Sequence, residues 1–186
     1  MRFLIRLLAA DTTKDALLAS SRALARSVGA EARNPKWTSY GALEMDVFCP
    51  TKGDFDLFLS VIRPMAHVEF HRDLNVAPPH KPEAELLKEA RDYFNAERYW
   101  ECHEVLEGVW RLKHGDEKRF LQGVILVCAA FVHHQKEEDP VALGVLRRAL
   151  PLLQYPSEAY GGFAIGPLKR DSQRILDEGR FTNFRV

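Results

Sequence analysis

The densest chemistry in the chain lies in one stretch, Tyr99-Trp100-Glu101-Cys102-His103-Glu104-Val105-Leu106-Glu107-Gly108-Val109-Trp110-Arg111. Imidazoles and carboxylates are ordinary ligands for zinc, iron and manganese, and a carboxylate can also act as general base on a metal-bound water. His103 and Glu107 stand four apart, so on a helix they share one face, about 6 Å apart at a rise of ~1.5 Å per residue. Trp110 and His114 continue that stripe. Glu104 flanks it in line with Trp100, Glu107 and Arg111, while Cys102, Leu106 and Val109 mark an apolar, buried side.

A second group of polar residues sits in the following apolar run, where Gln122, Leu126, Ala129 and His133 fall on one stripe and Arg119 stands a turn before Gln122. Polar groups on so apolar a helix need partners. A short connection predicts that the two helices pair antiparallel, which would bring His103, Glu104, Glu107, Gln122 and His133 together. Two chemistries follow. In one, a divalent transition metal is held by His103, Glu107 and His133 with Glu104 as general base, giving a metal-dependent hydrolase. In the other, Glu104 and Glu107 accept from Arg111, Arg119 or histidine in a polar network that includes Gln122 and locks helix packing. The chain is then a non-catalytic binding or interaction module, with Tyr99, Trp100 and Trp110 as its aromatic lining. The second reading is preferred, because spacing supplies no third zinc ligand and His-Glu-x-x-Glu lacks the second histidine of the zincin helix. His133 and His134 diverge by about 100° as helix neighbours. Cys102 and His103 diverge in the same way and do not form a nucleophile pair.

The elements that must position these residues change character near position 78. Up to residue 77, periods of two and of about 3.6 alternate. Phe3, Ile5 and Leu7 predict a strand, and Thr12-Thr13-Lys14-Asp15 a capped helix start. Leu17, Leu18, Ser21, Leu24, Ala25 and Val28 form a helical stripe ended by Gly29. Glu31 to Trp37 and Leu43, Met45, Val47 predict a strand pair turned near Ser39-Tyr40-Gly41. Phe55, Phe58, Leu59 and Ile62 make a second helix closed by Pro64, and His67 to Leu74 a last strand. The order β-α-β-β-α-β is the split βαβ pattern of a ferredoxin-like domain. Residues 78–82 hold three of the ten prolines and read as a linker. From 83 to 186 the pattern is helical. Pro82-Glu83 opens a helix to about Asn95, and Trp100 to Lys113 forms the next, with a turn at Gly115-Asp116. Phe120 to Gln135 is apolar nearly all round, as the central helix of a bundle would be. Pro140 opens a fourth helix with Leu143, Leu146 and Leu150 inward, and Tyr155 to Pro167 leads to a last helix, Leu168 to Glu178. The fold class is therefore α+β, a ferredoxin-like domain (1–77) followed by an all-α bundle (83–186).

Composition narrows the partners. The 26 Lys+Arg balance 26 Asp+Glu. Ten basic and nine acidic residues fall up to His80, so neutrality holds in each half. That argues against nucleic acid, which asks for a basic excess, although a weak RNA-binding or small-molecule-sensing sheet carrying Trp37, His67, His71 and Arg72 is an alternative for the first domain. Cys49, Cys102 and Cys128 are odd in number and form no Cys-x-x-Cys pair, as expected of buried thiols in a cytoplasmic protein. The apolar run Met1 to Ala10 is too short to cross a bilayer, and no membrane partner is expected. A homo-oligomer formed through an apolar helix or a sheet edge remains a candidate arrangement.

Phe94-Asn95-Ala96-Glu97-Arg98-Tyr99-Trp100-Glu101-Cys102-His103-Glu104-Val105-Leu106-Glu107-Gly108-Val109-Trp110, followed by Arg119-Phe120-Leu121-Gln122-Gly123-Val124-Ile125 and an apolar helix ending near His133, resembles an uncharacterised helical family, domain of unknown function family 309. The family pattern is an Asn-x-x-x-Tyr/Phe approach, a His-Glu-x-x-Glu helix with a Trp three residues on, and a Leu-Gln-Gly helix start. The resemblance covers about residues 83 to 178. It implies a compact helical bundle and no particular activity. The chain departs from it where the family has a Gly-Ala pair opening the fourth helix, since Val141-Ala142-Leu143-Gly144 stands there instead.

Overall fold

The computed structural model describes every residue of the 186 except Ala10 and Pro78. Pro78, the first residue of the expected linker, and Ala10, the end of the apolar N-terminal run, therefore lie outside the described residues. The chain divides into two compact units, Met1–Pro79 and His80–Val186.

The first unit runs β1 (Arg2–Leu8), α1 (Lys14–Ser27), β2 (Glu31–Trp37), β3 (Leu43–Phe48), α2 (Lys52–Ile62) and β4 (His67–Asp73). Its four strands form one sheet in the order β2-β3-β1-β4, and every neighbouring pair is antiparallel. Alternation sends Phe3, Ile5 and Leu7 of β1 and Met45 and Val47 of β3 into one core with Leu17 and Ala25 of α1 and Phe55, Phe58 and Ile62 of α2, so both helices cover the same face. Phe3 stacks on Phe55 with ring centroids 3.9 Å apart. The Thr13 hydroxyl starts α1 by accepting from the Ala16 N–H. At α2 the cap is reciprocal. Thr51 Oγ1 accepts from the Asp54 N–H at 3.3 Å, and the Asp54 carboxylate accepts from the Thr51 N–H at 2.9 Å.

The other face of this sheet is solvated at its margins, where Glu31, Arg33 and His67 are exposed, but buries charge at its centre. Arg6 pairs across strands with Glu44, and Lys36 does so from the other side. Arg6, Glu44 and Lys36 are 2%, 2% and 6% exposed. The Arg6 guanidinium donates to Glu44 Oε2 at 2.9 Å, Lys36 Nζ lies 2.5 Å from Oε1, and Tyr40 Oη accepts from Arg6 at 3.1 Å. Beside this trio the equally buried Asp46 accepts from Arg2 at 2.9 Å and from the Asn34 amide at 2.7 Å.

The second unit runs α3 (Glu83–Asn95), α4 (Tyr99–Trp110), α5 (Gly115–Gln135), α6 (Asp139–Ala149), a single 3₁₀ turn (Leu150–Leu152), a two-residue hairpin β5 (Ala159–Tyr160) and β6 (Phe163–Ala164), and α7 (Ile165–Glu178). Among the described residues this makes seven α-helices. Gly115 and Asp116, expected as a turn, instead begin α5. Gly115 turns the chain at φ 56°, and Asp116 and Glu117 then occupy the first helical turn, where negative charge is favoured. The inward stripe of α6 is Ala142, Val145, Leu146 and Ala149, while Leu143 and Leu150 are only half-buried. The hairpin turns through Gly161 and Gly162, both at positive φ, and a Cβ on Gly161 would meet Leu87 Cδ1 at 2.7 Å. After α7 the irregular tail folds back: Phe181 and Phe184 pack edge-on against Phe131, and the Asn95 amide both donates to the Val186 carbonyl and accepts from the Val186 N–H.

Glu44 holds the two buried cations of the sheet. Burial alone would raise its carboxyl, but Lys36 and Arg6 outweigh burial and hold it below 4.5. The pair's stability is therefore present above that ordinary value and is lost as pH falls through the depressed one. Glu44→Gln should cost about 3–5 kcal/mol at pH 7, because it strands two buried cations. Urea unfolding of both proteins between pH 7 and pH 3 checks this, with the difference between wild type and variant narrowing as pH falls.

Candidate functional site

Helix α4 is divided by its own period. Tyr99, Glu101, Cys102, Leu106 and Val109 are buried, Trp100, His103, Glu107 and Trp110 are half-buried, and Glu104 is exposed. Its first turn is fixed by Glu101, which is fully buried and accepts from the Arg98 guanidinium at 2.8 Å, with that guanidinium lying over the Tyr93 ring. Sequence reasoning passed over this pair. The signal available was a basic residue three before an acidic one at a helix start, a common surface pattern that says nothing of burial.

Helices α4 and α5 pair antiparallel, as three contacts establish. Lys118 Nζ lies 4.4 Å from the centre of the Trp110 ring, Cys102 Sγ and Cys128 Sγ are 3.3 Å apart, and Tyr99 stacks on Phe131 at 4.6 Å. That register sets Glu107 level with Gln122, and His103 level with Leu126. Lys118, Gln122, Leu126, Ala129 and His133 are the half-buried positions down this side of α5.

The expected convergence is therefore partial. His103, Glu104 and Glu107 neighbour one another on α4, and half-buried Gln122 stands at the level of Glu107. His133 does not join them. It lies well past the level of His103, about 10 Å further along the axis at ~1.5 Å per residue, and its Nδ1 is held 2.6 Å from Glu138 at the end of α5. His134 is held in the same way by Asp139. His103, Glu107 and His133 consequently do not close a coordination sphere, and among the described residues no three His, Cys, Asp or Glu side chains gather as metal ligands would.

The expected polar network is also open. Arg111 approaches Glu107 at 3.4 Å, but as an exposed i,i+4 pair, and Arg119 is exposed. His103 lies flat against Trp100, with ring centroids 5.5 Å apart and planes 4° from parallel, and its buried Nδ1 has no hydrogen-bond partner. The Trp110 Nε1 is buried and unpartnered in the same way. Of the aromatic residues, Tyr99 belongs to the core rather than to a lining, packed between Phe94 and Phe131 with its hydroxyl donating to Asn183 at 3.4 Å. Trp100 and Trp110 do border the α4–α5 face.

Burial lowers the affinity of His103 for a proton, and the opposing fields of Glu107 and Glu104 do not overcome it, so the imidazole is neutral at pH 7. The arrangement offers a neutral imidazole nitrogen and an indole N–H, both with unused hydrogen-bonding capacity, beside two carboxylates and flat aromatic surface.

The family described as Domain of unknown function (DUF309) matches residues 87–145, from within α3 to within α6, and the match contains every candidate residue named on α4 and α5. An uncharacterized protein of Aquifex aeolicus (strain VF5) is 32% identical over 96 residues, which are 50% of this chain and 28% of that protein. The chain thus spans well under two thirds of that relative. Among solved structures, a conserved hypothetical protein from Thermus thermophilus is 34% identical, with 53% of this chain and 99% of that one covered and a TM-score of 0.43. Among the described residues no helix is long and apolar enough to cross a membrane.

Because the folded-state value of His103 lies below 6.5, the unfolded chain takes up the proton first on acidification. Its contribution to stability is complete above pH 6.5 and is lost as pH falls below it. His103→Gln should flatten the decline of the urea midpoint between pH 7.5 and pH 5.5 relative to wild type. An unchanged slope would show that His103 titrates as it does in the unfolded chain.

Proposed function

We propose that the helical unit is a non-catalytic binding module whose contact face is the α4–α5 seam, bordered by Trp100, His103, Glu107, Trp110, Lys118 and Gln122. One observation carries this reading: His103 Nδ1 and Trp110 Nε1 lie two helical turns apart on one stripe, both buried and both without a partner. Buried polar groups left unpaired cost stability, and in native proteins each calls for an explanation such as a bound water or ion, strain or a functional role. The half-buried aromatic rings beside them offer contact area at little entropic cost. We further infer that the first unit is a ferredoxin-like domain. Its strand order, its antiparallel pairing and the placement of both helices on one face support that reading. Residues 78–82 are then the spacer between two domains, and three buried free thiols fit a cytoplasmic setting.

A residue kept for binding differs from one kept for packing in what its removal costs. Trp110→Phe keeps an aromatic face but removes part of the indole along with an N–H that has no partner, so it should cost only the lost contact area, about 1 kcal/mol. In the wild-type protein labelled with ¹⁵N, a screen of mixed fragments and short peptides should yield members that shift the Trp110 indole resonance, and these shifts should be lost in His103→Ala. If Trp110→Phe instead costs 2 kcal/mol or more and no fragment moves the indole signal, the face is structural and the proposal fails.

A further inference from the structure

The α4–α5 seam contains a second feature, independent of its outward face. Cys102 and Cys128 are both fully buried, lie 26 positions apart in sequence and project from adjacent antiparallel helices with their sulfurs 3.3 Å apart. At that distance they share an S–H···S contact. A disulfide bond is about 2.05 Å long, so the sulfurs stand roughly 1.3 Å from bonding distance. Cys49, the third cysteine, belongs to the other unit.

We propose that Cys102 and Cys128 are a redox cross-linking site, converted by hydrogen peroxide into an intrachain disulfide that ties α4 to α5. The chemistry balances with peroxide as the only co-reactant. One thiolate attacks a peroxide oxygen and the O–O bond breaks. This leaves a sulfenic acid and a hydroxide, which takes up the thiol proton as water. The second sulfur attacks the sulfenic sulfur, the S–S bond forms as the S–O bond breaks, and the departing hydroxide leaves as a second water with the remaining thiol proton. Two electrons pass from the sulfurs to the peroxide oxygens.

The surroundings decide how the site behaves. Burial first, and then the neighbouring Cys128, push the Cys102 thiol well up, so Cys102 holds little thiolate in the folded state. Reaction is therefore slow in the closed state and proceeds when α4 opens locally or while the chain folds. The same burial shields the finished bond from reductants. Cys102 stands one residue before His103, so the cross-link also stiffens the helix that carries the proposed contact face. It does not depend on that face binding anything.

The test uses the full chain. After exposure to hydrogen peroxide, and separately after unfolding and refolding in its presence, thiols titratable under denaturing conditions should fall from three to one per chain. The intact mass should drop by two hydrogens, and peptide mapping should recover a Cys102–Cys128 cross-linked peptide that disappears with dithiothreitol. The cross-linked protein should unfold at a higher denaturant concentration than the reduced one. Cys49→Ala should leave the cross-link, the mass loss and the gain in stability unchanged, with titratable thiols now falling from two to none. Cys102→Ala should abolish the cross-link, and the wild-type peptide map stands as evidence even if that variant folds poorly. Recovery of sulfinic or sulfonic acids alone, of chains joined through Cys49, or of three free thiols after oxidative refolding would overturn the proposal.

Discussion

Tyr99 stacked on Phe131 and Cys102 set against Cys128 hold α4 antiparallel to α5, and this one packing seam determines what the helical unit presents to its surroundings. Burying those four side chains turns Trp100, His103, Glu107 and Trp110 to the rim, since a helix cannot place positions 99 and 102 inward without placing 100, 103 and 107 beside them. The seam also fixes axial level. Because Lys118 faces Trp110 at the other end, Gln122 stands at the height of Glu107, and His133 is carried beyond the reach of His103. Proximity of polar groups here is a by-product of apolar register.

The N-terminal unit meets a different constraint. Its sheet has one face packed by two helices and another on which Arg6, Lys36 and Glu44 lie buried together. An apolar trio of similar volume would pack there at no electrostatic cost, so the cluster is poor evidence for added stability. What it does supply is geometry. Arg6 is fixed by both Glu44 and Tyr40, which ties β1 to β3 and to the turn after β2. A one-residue slip of any of these strands would move a charge into the apolar core on the opposite face.

Much of this arrangement was legible in the sequence. Alternation at Phe3, Ile5 and Leu7 marked a strand, and the stripe through Phe55, Phe58 and Ile62 marked a helix, because each pattern reflects burial on one side of a regular element. The antiparallel pairing of α4 and α5 followed from their short connection. The residues on one face of α4 were also legible, since a single helix sets their spacing. Convergence across two helices was not. It depends on a shift of a few residues along the axis, set by which rings stack, and no periodicity records that shift, so His133 was grouped with His103 although the fold separates them. The buried charges of the sheet were hidden for a related reason, since alternation reports which face is apolar but not whether the other face meets water. The reciprocal cap at Thr51 and Asp54 went unread beside the weaker signal at Thr12 to Asp15, and the hairpin at 159–164 is too short for a period to appear.

The tail after α7 carries no regular structure, yet Asn95 grips the backbone of Val186 with both atoms of its side-chain amide, as a neighbouring strand would, and Phe181 and Phe184 close over Phe131. Order in this unit is thus set by side-chain recognition as much as by backbone repetition. In amide exchange the Val186 N–H belongs with the helices of the core, and the slow-exchanging part of the unit extends past its last helix. Asn95, at the C-terminal end of α3, serves as the latch through which an irregular segment joins the cooperative unit.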